Sequence, residues 1–151
     1  MQYINRAVFG MLLLLVTTFT FAANATVDSI KQLGADWEQA IASRNPSKIT
    51  ALYDKEAFLY ATFSNVVDSQ AAIMKYFTKL TKHKELKVKF TKQNIRVYGD
   101  AAINSGLYEF SYNEHGKTVK VPGRYTFVYH ETPSGWVIID HHSSVLPEKS
   151  N

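Results

Sequence analysis

The chain has 151 residues, of which 46% are hydrophobic and 13% aromatic, with 17 basic side chains, 13 acidic ones and no cysteine. That length and composition fit one globular domain with a core of its own, and the missing cysteines exclude disulfides and a lipid-modified cysteine anchor. A formal net charge of +4 is too mild to require a nucleic-acid partner.

Residues 1–25 carry the pattern of a secretory signal. Arg6 gives a positive start, residues 7–21 form an apolar run, and Ala23-Asn24-Ala25 offers a small-residue cleavage site. The run falls short of the ~20 residues that a spanning helix needs. We therefore expect cleavage, an exported protein that is periplasmic or secreted, and no stable membrane anchor afterwards. The remaining domain, residues 26–148 with a disordered tail at 149–151, keeps a net charge of +3 once Arg6 is gone. Its lysines crowd between Lys75 and Lys92, which reads as a solvated helix end followed by an edge strand guarded by charge. Attraction to an anionic surface or ligand is the alternative.

Val27, Ile30, Leu33, Trp37 and Ile41 recur at helical spacing behind Thr26 as N-cap. This helix should stop near Arg44, because Asn45 precedes a proline and disfavours helical geometry there. Pro46 then opens a short second helix with Ile49, Leu52 and Tyr53 turned inward. Residues 58–63 predict a short strand, and Asp68 or Ser69 caps a third helix whose apolar stripe is Ala72, Ile73, Tyr76, Phe77 and Leu80. From Leu86 the period changes from helical to alternating. Leu86, Val88 and Phe90 alternate with Lys87 and Lys89, Ile95 and Val97 carry the strand to a Gly99-Asp100 turn, and the next strand runs from Ala101 to Asn113. Glu114-His115-Gly116 turns the chain into a strand over residues 117–130, which forms a hairpin across residues 131–135 with the strand that starts at Trp136.

Helices first and long strands afterwards predict an α+β fold: one curved antiparallel sheet, cone-shaped, with the helices packed on its concave face and a cavity between them. Leu107, Val119, Val121, Val128, Ile138 and Val145 cannot all point at one core, so a second copy of the chain is expected to cover the outer side in a homodimer.

The segments Ala61-Thr62-Phe63-Ser64-Asn65, Tyr76-Phe77, Gly106-Leu107-Tyr108-Glu109-Phe110, Gly123-Arg124-Tyr125-Thr126-Phe127 and Trp136 through Glu148 resemble the nuclear transport factor 2-like superfamily. The likeness is to its branch of secreted SnoaL-like bacterial proteins similar to the association domain of calcium/calmodulin-dependent protein kinase II. It spans about Val27 to Glu148 and is strongest in the tryptophan strand with its His-His-Ser-Ser-x-x-Pro-Glu ending. It implies a cystatin-like or SnoaL-like cone. It implies no single activity, because that superfamily hosts isomerases, dehydratases, polyketide cyclases, hydrolases and assembly modules. Phe127 stands where the kinase domain carries a pocket arginine.

Closed symmetrically, the last hairpin sets Arg124 near His142, Thr126 near Asp140 and Val128 near Ile138. Alternation then puts Arg124, Thr126, Asp140, His142 and Ser144 on one face and Tyr125, Phe127, Tyr129, His141 and Ser143 on the other. As a site, His142 serves as acid or base, or His141 if the other face lines the cavity. Asp140 orients the imidazole, and Arg124 with Thr126 holds an anionic group. Tyr60, Tyr108 and Trp37, with Tyr53 and Tyr76, would line a cavity for a small apolar or anionic molecule. The competing reading is a polar ladder in which Arg124, Asp140, His142 and Ser144 satisfy one another in a dimer interface. Adjacent strand histidines point oppositely and do not share a metal ion, and no Gly-rich dinucleotide fingerprint is present. No metal or cofactor is expected. The expected function is small-molecule binding or assembly; the alternative is an enzyme of the isomerase, dehydratase or cyclase kind with a histidine base.

Overall fold

In the computed structural model, which describes residues 26–147, Thr26 opens the first helix (α1, Val27–Ala42) with a capping box. Its hydroxyl accepts from the Ser29 amide at 3.1 Å, and the Ser29 hydroxyl accepts from the Thr26 amide at 2.9 Å. The expected signal at 1–25 and the tail at 149–151 lie outside the described residues. Asn45 caps the second helix (α2, Pro46–Thr50), with Pro46 in its first turn where a missing N–H leaves no bond unmade. Of the two candidates for the third cap, Ser69 does the work for α3 (Gln70–Leu80), accepting from the Ala72 amide.

Five strands follow the order β1-β5-β4-β3-β2 in one sheet: β1 (Tyr53–Tyr60), β2 (Lys84–Tyr98), β3 (Ala101–Glu114), β4 (Lys117–Thr132) and β5 (Gly135–Val145). The pairs from β2 to β5 are antiparallel, as expected, whereas β1 adds to β5 in parallel. α1 lies across β2 and β3, and α3 packs on β1 and α2. Lys-rich β2 is one edge of the sheet. The strand expected at residues 58–63 begins earlier, at Tyr53, and ends at Tyr60. Leu52 and Tyr53 are inward-facing but not helical: the Leu52 carbonyl accepts from the Ile138 amide at 2.9 Å, which draws the chain into the sheet instead of a further helical turn.

The β4–β5 pairing differs from the symmetric hairpin. The turn is the two residues Pro133 and Ser134, so Thr132 pairs with Gly135, and the register slips once between Val128 and Tyr129, opposite Ile139. Arg124 therefore faces Ser144 rather than His142, Thr126 faces His142 rather than Asp140, and Val128 faces Asp140 rather than Ile138. The two shifts together displace the pairing by an even number, so the division of residues between the faces is unchanged. Of the apolar residues expected to be shared between the faces, Ile138 is in the core and Val121 and Val145 border the mouth of the cone. Leu107 and Val128 sit on the outer face, each half-buried.

A second slip lies in β2 between Phe90 and Lys92, where the Phe90 amide donates to the Glu38 carboxylate of α1 at 2.5 Å. The bulged strand leans onto Gly106 of β3: a Cβ there would stand 2.0 Å from the Lys92 carbonyl oxygen. Gly106→Ala is expected to destabilise the fold by about 1–3 kcal/mol in urea denaturation. A variant as stable as its parent would contradict this close approach.

Candidate functional site

The narrow end of the cone is filled, not hollow. Trp37 from α1 packs edge-on against Phe127 and His141, with ring centroids 5.1 and 5.6 Å away, and its indole N–H reaches the Tyr53 hydroxyl at 3.1 Å. That hydroxyl lies 2.9 Å from Nδ1 of His141. A tyrosine oxygen that accepts from Trp37 has one proton left to give, so Tyr53 donates to Nδ1 and the neutral imidazole carries its own proton on Nε2. The opposite tautomer would leave two groups without partners instead of one. Nε2 is buried and has no protein partner among the described residues, a state it shares with the Tyr129 hydroxyl. Burial, with a smaller push from His142, lowers the His141 pKa to about 3. Desolvation also raises the Tyr53 hydroxyl well above its ordinary range.

On the other side of the sheet the pairing builds three consecutive rows. Lys92, Leu107, Arg124 and Ser144 form one, then Asn94, Ser105, Thr126, His142 and Tyr60, then Arg96, Ile103, Val128, Asp140 and Phe58. Part of the first two rows encloses an open trough of about 530 Å³ bordered by Lys92, Asn94, Arg124, Thr126, His142 and Ser144. Tyr60 stacks on Phe58 and meets His142 edge-on. The Asp140 carboxyl is raised above its ordinary pKa by partial burial, opposed by the neighbouring His142.

The hollow lies at the wide end, between the C-terminal turn of α3 and the ends of the strands. It measures about 140 Å³, and Tyr76, Leu80, Leu86, Tyr108, Phe110 and Val121 give it an apolar wall. Its polar patch is a triplet of hydroxyls. Thr62 and Ser143 are 2.6 Å apart, and Ser143 also bonds Tyr108. His83 packs against Tyr112 at its edge with tilted rings, centroids 4.2 Å apart, and Phe63 stands beside it 80% exposed. Burial raises the Tyr76 hydroxyl to about 12 and the Tyr108 hydroxyl in the same direction, so both stay protonated.

The residues singled out from the sequence thus fall into three places. His141 and Trp37 belong to the filled core, and Tyr108 reaches from it into the hollow. Arg124, Thr126, Asp140, His142 and Tyr60 are on the outer face, so His142 and Arg124 do not meet Trp37 or Tyr108. Among the described residues no group of three His, Asp or Glu side chains is placed to hold a metal ion. Thr62, His83 and Tyr112 carry no sequence signal for a place in the hollow, whereas Ser143 lies within the polar run, on the same face as His141. Nothing in the local sequence of Thr62 marks it, because its partner is 81 positions away.

This curved open sheet with helices on one face is a nuclear transport factor 2-like, cystatin-like fold. It is similar to the solved structure of a protein of that description from Novosphingobium aromaticivorans (14% identity, TM-score 0.72, covering 82% of this chain and 83% of that one). A ketosteroid isomerase-like protein from Erwinia carotovora is also similar (10% identity, TM-score 0.66, 79% and 95%). The model of the calcium/calmodulin dependent protein kinase II association domain matches residues 27–147, and the chain belongs to that family. A solved structure from Xanthomonas campestris described as such an association domain shares 33% identity with a TM-score of 0.77, over 88% of this chain and 99% of that one. None of the curated proteins compared matches this chain.

His141 makes stability pH-dependent in a stated direction. Its folded pKa of about 3 lies below the ~6.5 of an unfolded histidine, so the unfolded chain takes up a proton that the folded chain refuses. The stabilisation is complete above about pH 6.5 and declines by up to about 1.4 kcal/mol per pH unit as pH falls toward 3. The stability gap between the parent and His141→Gln, measured by denaturant titration, should narrow over that window. A constant gap would contradict the burial of a neutral imidazole.

Proposed function

We propose that this protein is an exported, self-associating domain that binds a small, largely apolar molecule in the mouth of its cone. The observation that carries the reading is the 140 Å³ hollow with its hydroxyl triplet. An apolar space of ~150 Å³ accommodates a single six-membered ring, whereas general ligand pockets are several times larger. The occupant is therefore one ring or a short chain, with any longer portion running out past Phe63. Three hydroxyls carry three protons and make two bonds with one another, which leaves one donor for an acceptor such as a carbonyl or ether oxygen.

Acid/base catalysis by a histidine has less support. Neither His141 nor His142 borders the hollow, and His83 is the one histidine that does. Self-association is supported by the family to which the chain belongs and by half-buried Ile103, Leu107 and Val128 on an uncovered sheet face. Export is supported by the signal pattern of residues 1–25.

Native mass spectrometry of the purified protein, followed by thermal-shift titration with what co-purifies, tests the ligand reading. Ser143→Ala, which removes the central hydroxyl, is expected to weaken binding about tenfold, the worth of roughly one good hydrogen bond. Unchanged affinity would place the ligand elsewhere. In sedimentation velocity the parent should run as a dimer and Leu107→Asp as a monomer with an unchanged circular dichroism spectrum; a monomeric parent would refute assembly.

A further inference from the structure

We infer that the trough on the outer sheet face is a binding site for a phosphate-type oxyanion, held at the seam between two copies of the chain. Its first two rows carry the Lys92 ammonium, the Arg124 guanidinium and the His142 imidazole. Asn94, Thr126 and Ser144 add an amide and two hydroxyls around the same space. Among the described residues no acidic side chain borders it. Neither Lys92 nor Arg124 makes an ion pair among the described residues. Two acids flank the trough along the face: Asp140 lies one row beyond His142, opposite Val128, and Glu109 lies one row beyond Leu107, engaged with Lys120 at 2.8 Å. A planar guanidinium flanked by an ammonium and hydroxyl donors matches a tetrahedral oxyanion: the fork binds two oxygens, and the point charge and hydroxyls take the others.

The position of Lys92 is built in rather than incidental. The bulge after Phe90, pinned by Glu38, shifts the phase of β2 so that Lys92 rather than Thr91 pairs with Leu107 and shares its face. Gly106, which also borders the trough, lets that bulged backbone approach β3.

This inference rests on the self-association reading for its second half. A two-fold interface sets the same patch of each copy against the other, so covering this face with a second copy would bury like charges together. Unpaired charge removed from water is strongly unfavourable. A bound dianion neutralises both cations and lets the apolar residues of this face, Leu107 between them and Val128 two rows along, meet their counterparts in the second copy. The ligand chemistry is shared by free phosphate and by phosphate monoesters.

The test is calorimetric titration of the full protein with inorganic phosphate and, separately, with a sugar phosphate. Alongside it, sedimentation equilibrium is run in sodium phosphate and in sodium chloride of equal ionic strength. Binding of either anion is expected, with a dimer dissociation constant at least tenfold lower in phosphate than in chloride. A tighter sugar phosphate identifies an ester as the ligand, and equal affinities identify free phosphate. Arg124→Gln should weaken binding at least tenfold and abolish the difference between the salts; Lys92→Gln should do the same more mildly. Both side chains are exposed, and an unchanged thermal melt confirms folding. No binding, or binding that Arg124→Gln leaves intact, overturns the site, even if the protein dimerises equally in both salts, in which case self-association stands. Arg124-dependent binding to a protein that remains monomeric overturns the seam and the self-association reading together.

Discussion

Trp37 donates to Tyr53 and Tyr53 donates to His141, and this buried chain fixes the side of the sheet on which every residue of the last strand falls. It joins α1 to β1 and β5 at a point where all three side chains are withdrawn from water. Apolar rings surround it: Phe127 lies 4.3 Å from the His141 ring, and Phe77 lies 5.6 Å from Tyr53. In such a setting an unmade hydrogen bond costs the full desolvation of its groups. Turning His142 inward instead would abandon the bond between Tyr53 and His141. With His141 inward, alternation sends Ser143 to the hollow and His142 with Ser144 to the outer face.

The consequence is a division of labour within four residues, His141 to Ser144. The core-facing histidine is neutral and closed off, the next inward residue supplies the central hydroxyl of the mouth, and the outward residues border a basic trough. The two candidate binding regions differ in chemistry as well as in place. One is enclosed by aromatic and aliphatic side chains with a few hydroxyls; the other is open and cationic. Membership of the association domain family is consistent with a face reserved for another copy, while the fold itself carries no single activity.

Much of this architecture can be read from residue patterns. The helix cap at Thr26, the opening of α2 at Pro46, the switch of period at Leu86 and the turns at Gly99-Asp100 and Glu114-His115-Gly116 are local signals, and each lies where its chemistry demands. The face assignments of β4 and β5 are also legible, because parity survives an even displacement of register. What escapes is non-local. The parallel seating of β1 depends on residues 85 positions away, as Tyr53 pairs with Ile138. The bulge in β2 did leave a trace, since the apolar phase moves from Leu86, Val88 and Phe90 to Ile95 and Val97, from even to odd positions. The slip opposite Ile139 leaves a similar one between Ile138 and His141. Parity alone could not say which face the helices cover, and so could not separate His141 from His142; that is decided by the partner awaiting His141 on Tyr53.

Histidine ring nitrogens report that decision directly. In a proton–nitrogen correlation spectrum recorded from about pH 8 to 5, one imidazole should stay neutral throughout with its proton on Nε2, and its signals should vanish in His141→Gln. A His141 ring that titrates near 6.5, or that holds its proton on Nδ1, would contradict the account.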